Sequence, residues 1–334
     1  MAQSKIRRAK PAPLADVTVI GAGVAGLCAA YSLCKAGLTP RLIDRHGAPG
    51  AHGCSWWAGG MLAPFCEGAV AEPAIVAHGT KAAAFWAEVT EVTQRGSLVI
   101  ALQRDQGELA RFARRTTGHV RINDLSALEP DLAAHQTALF FAQESHLDPR
   151  RALADLTRAL TTMGVVITKS AVVPEEISGP VIDARGMAAG LPDLRAVRGE
   201  MLLLRAPDIT LSRPVRLLHP RHPLYIVPRT KGVFMLGATQ VESADRRGVT
   251  ARAVLELLGA AYALDPRFAE AELLETGADL RPAYPDNVPR VTVKGRVLHL
   301  NGLFRHGYLM APALAAQATD YLINGSKGDL VHAD

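Results

Sequence analysis

Three glycines and one acid carry the first chemistry in this sequence. Gly21, Gly23 and Gly26 stand in G-x-G-x-x-G spacing, and Asp44 follows eighteen positions after the last of them. Gly21 permits a tight turn, Gly23 lets backbone approach a pyrophosphate, and Gly26 lets a helix pack closely on a strand. A helix opening at that turn, at Val24 and Ala25, offers free N–H groups and a partial positive charge to phosphates. Asp44 is placed to accept hydrogen bonds from a ribose hydroxyl pair. The elements that must position these groups flank them. Val17 to Ile20 is an apolar run that reads as a buried strand. An alanine-rich helical segment follows to near Gly37, and a second strand, Arg41 to Ile43, stops at the acid. A glycine-rich turn alone is common, but the strand, helix, strand and distal acid together imply nucleotide binding.

Composition narrows the class. The 334 residues allow about two domains. A hydrophobic content of 49% with 21% charged is ordinary for a soluble globular chain. The net charge of +5 is scattered and aromatic content is only 5%, so the chain has no basic patch or base-stacking stripe. This balance suits anionic small ligands better than nucleic acid. Cys28, Cys34, Cys54 and Cys66 show no metal-ligand spacing and are expected to be thiols of a reducing compartment. The opening residues lack the apolar core of a signal peptide, and no run is long enough to span a bilayer. A cytoplasmic protein without membrane insertion is expected.

Along the chain, Pro49 to Pro64 forms a loop of small residues, as is usual where backbone passes a flat ligand. Trp56, Trp57 and Met61 argue against a floppy surface loop. His78 to Thr93 and Asp105 to Thr117 read as helices, Leu98 to Leu102 and Ala138 to Phe141 as strands, and Leu125 to Leu132 as a turn. Asp148 is a predicted N-cap with Pro149 in the first turn of a helix to Met163, followed by a strand at Val165 to Thr168. Val181 to Asp183 is a further apolar strand running into Gly186. Beyond Gly199 the strands Met201 to Arg205, Leu224 to Pro228 and Val233 to Leu236 predict an antiparallel sheet with one buried face. A helix at Ala251 to Ala263, a strand at Val297 to Leu300 and a helix at Ala311 to Ile323 complete the pattern. Nucleotide-binding pieces thus lie at the start, middle and end, with antiparallel material between them. A nicotinamide dehydrogenase more often keeps its cofactor domain contiguous. The interleaving suits a flavoprotein whose final helix directs its amino terminus at the flavin.

The opening fingerprint, SWWAGGMLAP at Ser55 to Pro64, YIVP at Tyr225 to Pro228, LGAT at Leu236 to Thr239, DLRPAYPDNVP at Asp279 to Pro289 and NGLFRHGYLMAPA at Asn301 to Ala313 are in one order. Together they resemble the FAD-dependent amine oxidases of the D-amino-acid oxidase class, and within it the glycine oxidases that feed thiazole formation in thiamine biosynthesis. The likeness runs from Asp16 to Ile323. It implies an α/β fold in which a Rossmann-like FAD-binding domain (15–77, 146–198 and 290–325) is interleaved with an antiparallel-sheet α+β substrate domain (78–145 and 199–289), after a flexible tail at 1–14.

The resemblance also implies roles. Arg281, in ADLRP, would bind the substrate carboxylate with the paired hydrogen bonds a guanidinium makes, and Tyr225 would donate another. Arg305 would lie near the flavin face and substrate, and Met61 close to the flavin ring. The implied FAD contacts are Gly21, Gly23, Val24, Ala25, Gly26, Asp44, Arg45, Ser55, Ala58, Gly59, Gly60, Met61, Val172, Gly186, His306, Gly307, Tyr308 and Leu309. His306 could help accept oxygen or serve a structural role. Asp44 stands where many relatives carry Glu, the Ser170 to Pro180 segment is short, and Gln240 follows GAT where an apolar residue is expected. No cysteine lies in the second half of the chain, where sarcosine oxidases link their flavin, so FAD is expected to be non-covalent. The implied activity is oxidation of glycine or a similar small amino acid, with oxygen as acceptor and peroxide as product, in a homo-oligomer. A related dehydrogenase using an electron carrier and a non-catalytic flavin-binding protein are the alternatives.

Overall fold

The computed structural model describes residues 16–219, 221 and 223–333; the expected tail at 1–14 lies outside the described residues. A seven-stranded sheet gathers its strands from three separated parts of the chain. Its order is Val331–Ala333, Arg290–Lys294, Val297–Asn301, Val181–Asp183, Thr18–Ile20, Arg41–Asp44 and Ile167–Lys169. The four central strands are parallel, with Thr18 beside both Arg41 and Val181. The first helix, Val24–Lys35, and the last, Gly307–Asn324, pack together over this sheet. Both present small side chains: Ala29 and Ala30 share a core with Ala311, Ala315 and Ala318. That lets two backbones approach closely and seals the apolar face of the sheet.

The second sheet has nine strands, and its longest pair is Arg195–Arg205 against Glu272–Ala283. The predicted strand at Met201 begins six residues earlier. Arg198 and Glu200 interrupt the apolar pattern, yet both are buried as an ion pair. The sheet is also not wholly antiparallel, because Val215–Leu218 runs parallel to Ser97–Ala101.

Helix boundaries moved for local reasons. The helix predicted at His78 to Thr93 is two short ones, Pro73–Gly79 and Ala82–Ala87. Pro73 sets an early start, and a Cβ on Gly79 would meet Leu309 Cγ at 2.8 Å. Asp148 caps Pro149–Thr162, its Oδ1 accepting from the Arg150 and Arg151 N–H groups at 2.8 and 3.3 Å. The final helix begins at Gly307, four residues before the predicted Ala311, so Pro312 lies inside it. Proline has no N–H, which frees the carbonyl of Tyr308 four residues back. Trp86 Nε1 donates to that carbonyl at 2.8 Å, and the indole is fully buried. A long-range hydrogen bond therefore replaces the missing helical one.

Asp183 ties two strands of the cofactor sheet together. Its fully buried carboxylate accepts from Arg185 at 2.8 Å and pairs with His299 Nδ1 at 3.1 Å. Burial alone would raise its pKa, but the hydrogen bonds from Arg185 and His299 outweigh that and pull it down to about 2. The unfolded value is about 3.9. The folded protein thus binds fewer protons at this group. Its stabilisation, about 2.5 kcal/mol, is fully present above roughly pH 4 and is lost as pH falls through about 2. The stability gap between wild type and Asp183→Asn, measured by denaturant titration, is therefore expected to narrow from pH 4 to pH 2. A gap that stays constant across that window would contradict this account.

Candidate active site

A cleft of about 1120 Å³ runs along the carboxyl ends of the parallel strands and on to the second sheet. That slightly exceeds the roughly 300–1,000 Å³ of an ordinary ligand site. At one end the glycine turn is built as its spacing requires. Gly21 has φ +104°, and a Cβ there would sit 2.6 Å from the Ala184 carbonyl oxygen. A Cβ on Gly26 would lie 1.8 Å from Gly21 O, so Gly26 serves packing and does not itself line the cleft. Gly23 caps the helix without a side-chain oxygen, and its missing Cβ would meet only Ser55 Oγ, at 3.4 Å. Ser55 Oγ accepts from Val24 N–H at 3.1 Å. Asp44 accepts from the backbone N–H groups of Ala22 and His46 at 2.8 and 2.7 Å. It therefore fixes the glycine turn as well as the end of its own strand.

Further along, Gly186 has φ +58° and its carbonyl accepts from Asn301 Nδ2 at 3.0 Å. The Ser55–Gly59 loop forms a wall. Trp56 and Trp57 are half-buried, stacked near the Arg150 guanidinium at 4.7 and 5.2 Å, which itself pairs with Glu275. Trp57 also lies over Gly277, where a Cβ would come within 2.1 Å. Arg229 is almost completely buried and donates to the Gly59 carbonyl at 2.7 Å, bracing the loop from behind. Burial lowers its pKa to about 10, which still leaves it charged at neutral pH. Cys54 also lines the cleft, and burial pushes its thiol up to about 12, so it is a neutral, weak nucleophile.

At the far end Arg281, Tyr225 and Arg305 converge on the cleft. The Tyr225 ring lies over Gly59 and Gly237, where added Cβ atoms would fall 2.9 and 2.7 Å from it. Arg281 Nη1 donates to the Thr239 carbonyl at 3.2 Å. Among the described residues it has no carboxylate partner, and burial depresses its pKa. Its neighbours are different. The buried carboxylate of Glu67 accepts from Arg216 Nη2 at 2.6 Å and Arg305 Nη2 at 3.1 Å, and meets His306 Nε2 at 2.9 Å. Burial would raise the Glu67 pKa, but Arg305, Arg216 and His306 hold it well below the carboxylate range.

Of the residues named from the sequence, Gly21, Gly23, Val24, Ala25, Asp44, Arg45, Ser55, Ala58, Gly59, Val172, Gly186, Tyr225, Arg281, Arg305, Gly307 and Tyr308 line the cleft. Gly26, Gly60, Met61, His306 and Leu309 stand behind its wall. Gly60 packs on the Leu147 carbonyl with φ +74°, and Leu309 on Gly79. Met61 packs against the cluster of Ala63, Cys66 and Phe112, and His306 faces Glu67. Tyr308 joins the cleft wall, but its hydroxyl donates to the Ser55 and Pro149 carbonyls. Glu67, Arg216 and Arg229 went unnoticed in the sequence. A lone acid in the apolar stretch PFCEG was the available signal for Glu67.

Comparison with known proteins decides the class. The model of the DAO family, FAD dependent oxidoreductase, matches residues 16–321. The chain belongs to that family. It is 51% identical over 315 residues, covering 92% of this chain and 96% of the relative, to a Rhizobium etli protein named as a thiamine biosynthesis oxidoreductase, ThiO. It is 26% identical to a glycine oxidase of Pseudomonas aeruginosa, covering 92% and 94% of the two chains. The crystal structure of glycine oxidase from Geobacillus kaustophilus superposes with a TM-score of 0.77 at 23% identity, covering 94% of this chain and 96% of that one. The protein is thus an FAD-dependent oxidoreductase.

The residues present fit that cofactor. The side-chain-free cradle at Gly23, the first-turn N–H groups of Val24–Lys35 and the long cleft suit a dinucleotide. Gly307 presents the amino terminus of the last helix at the other end of the same cleft. No helix among the described residues is long and apolar enough to cross a membrane.

Glu67 holds two guanidinium groups with one carboxylate, so removing its charge leaves them uncompensated. Glu67→Gln is expected to lower stability by about 3 kcal/mol in denaturant titration. A loss under 1 kcal/mol would show that the cluster does not depend on this charge.

Proposed function

We propose that this enzyme oxidises glycine, or an amino acid of similar size, at its Cα–N bond, with oxygen as the final acceptor and hydrogen peroxide as a product. The resulting imine would serve thiamine biosynthesis or hydrolyse to a 2-oxo acid and ammonia. The observation that carries this reading is Arg281, a guanidinium in the cleft with no carboxylate of its own among the described residues. Glu67 already balances much of the charge on Arg216 and Arg305. Glu67 offsets one of those two charges, so the site keeps a net positive charge, and Arg281 is the guanidinium left with no carboxylate of its own among the described residues. The relatives named above, a thiamine biosynthesis oxidoreductase at 51% identity and a glycine oxidase at 26%, support the same choice.

FAD, when bound, supplies the acceptor for the two electrons lost by the substrate. The chain's own residues supply position. Arg281 meets the carboxylate with two parallel hydrogen bonds, and Tyr225 stands beside it to donate another. Fixing the carboxylate fixes the α-carbon, and orientation of this kind contributes much of an enzyme's acceleration. Arg305, held by Glu67, keeps the site positive, which lowers the pKa of an entering ammonium and favours the neutral amine. No separate base is required. The amino terminus of Gly307–Asn324 adds a favourable field for negative charge developing at that end of the cleft.

Arg281→Ala is expected to raise KM for glycine about 100-fold or more while the FAD content of the purified protein stays unchanged. Equal loss of substrate and flavin binding would refute the assignment. Turnover in air with no peroxide would replace oxygen by an electron carrier and leave the amino-acid chemistry standing.

A further inference from the structure

The sequence Arg198-Gly199-Glu200 places opposite charges on either side of a glycine in the middle of a buried strand. Strand alternation puts Arg198 and Glu200 on one face and Gly199 on the other. Arg198 is only 4% exposed and Glu200 is fully buried. Their charges are used to hold one segment, residues 239–250. Arg198 donates to the carbonyls of Asp245, Arg247 and Gly248 at 2.8, 2.7 and 2.5 Å. Glu200 accepts from Arg198 at 3.0 Å, from Thr250 N–H at 2.9 Å and from the Thr239 hydroxyl at 2.9 Å. The Thr239 hydroxyl in turn accepts from Glu200 N–H at 3.0 Å, and Thr239 N–H donates to Glu200 O at 3.1 Å. Both ends of the segment are pinned by the same pair.

The opposite face carries Arg281. Its register partner is Val197, so its side chain shares a face with Gly199, two residues further along. A Cβ on Gly199 would lie 2.0 Å from Arg281 Nη2 and 2.2 Å from its Cζ. The guanidinium therefore rests directly on bare backbone. Its Nη1 donates to the carbonyl of Thr239, the residue that Glu200 fixes from the other face.

We infer that Arg198-Gly199-Glu200 is the positioning element of the carboxylate-binding arginine. Gly199 sets the height of the guanidinium over the sheet, and Glu200, acting through Thr239, sets its orientation. This rests on the reading that Arg281 holds the substrate carboxylate. Arg198 and Glu200 lie on the face away from Arg281, and Gly199 lines the cleft without a side chain, so the three act through Arg281 as positioning residues. The same pair also holds the segment that brings Gln240 and Arg246 to the cleft.

The test is a double-mutant cycle on the FAD-loaded enzyme with acetate, a carboxylate that has no amine to oxidise. Binding is read from the perturbation of the visible flavin spectrum. A Cβ at position 199 meets the end of a flexible side chain, so Gly199→Ala is expected to fold and to keep its flavin while binding acetate about tenfold more weakly. Thr239→Val, which keeps the carbonyl and loses the hydroxyl, is expected to weaken acetate several-fold. In an Arg281→Ala background neither change should weaken acetate further. Equal weakening in both backgrounds, or none in the wild-type background, overturns the positioning role. If Arg281→Ala alone leaves acetate binding intact, the underlying reading of Arg281 falls, and the positioning role falls with it.

Discussion

A half-buried guanidinium without a counter-charge is a cost that folding alone does not recover. Arg281 is in that state. Its pKa is depressed by burial, and its hydrogen-bond acceptor is a backbone carbonyl. Much of the far end of the cleft makes sense as a response to this cation. Tyr225 is stacked over two glycines beside it, and Glu67 offsets part of the charge of the neighbouring Arg216 and Arg305, which limits the repulsion on Arg281. An arriving carboxylate completes the set. Binding is then strongest for a ligand with one negative charge at one end, which is what an amino acid offers to such a site.

The cofactor end follows the same electrostatic logic with backbone in place of side chains. The helix Val24–Lys35 opens on Gly23, which has no side chain to cap it; Ser55 takes the Val24 N–H, and the next first-turn N–H groups are left for phosphate. The last helix brings a second amino terminus to the cleft at Gly307. The two helices are held together by alanines over one sheet, so both positive ends are set by a single packing contact. Chain order explains why that contact needs the whole molecule. The first helix begins at residue 24 and the last at residue 307, with the second sheet formed between them.

Legibility in the sequence followed the range of the interactions. The glycine turn, Asp44, the Asp148 cap and the Ala138–Phe141 strand were readable because spacing or local chemistry fixes them. Arg281 and Tyr225 became meaningful only through motif order, since a lone arginine or tyrosine has many ordinary uses. The start of the final helix was misplaced because Pro312 looks like a helix beginning. The indole of Trp86, more than two hundred residues away, supplies the hydrogen bond that allows the proline inside. Arg198, Gly199 and Glu200 fall outside the strand predicted at Met201 to Arg205, because charge is a poor sign of burial unless its partner is known. Glu67 was missed for the same reason, as its three partners come from two distant segments.

The most direct measurement is an anaerobic titration of the flavin-loaded protein with glycine, followed by its visible absorption. The account predicts that the yellow colour bleaches with glycine and that admitting air restores it with formation of peroxide. A flavin that stays oxidised in the presence of glycine and of other small amino acids would contradict the assignment of this cleft to amino-acid oxidation.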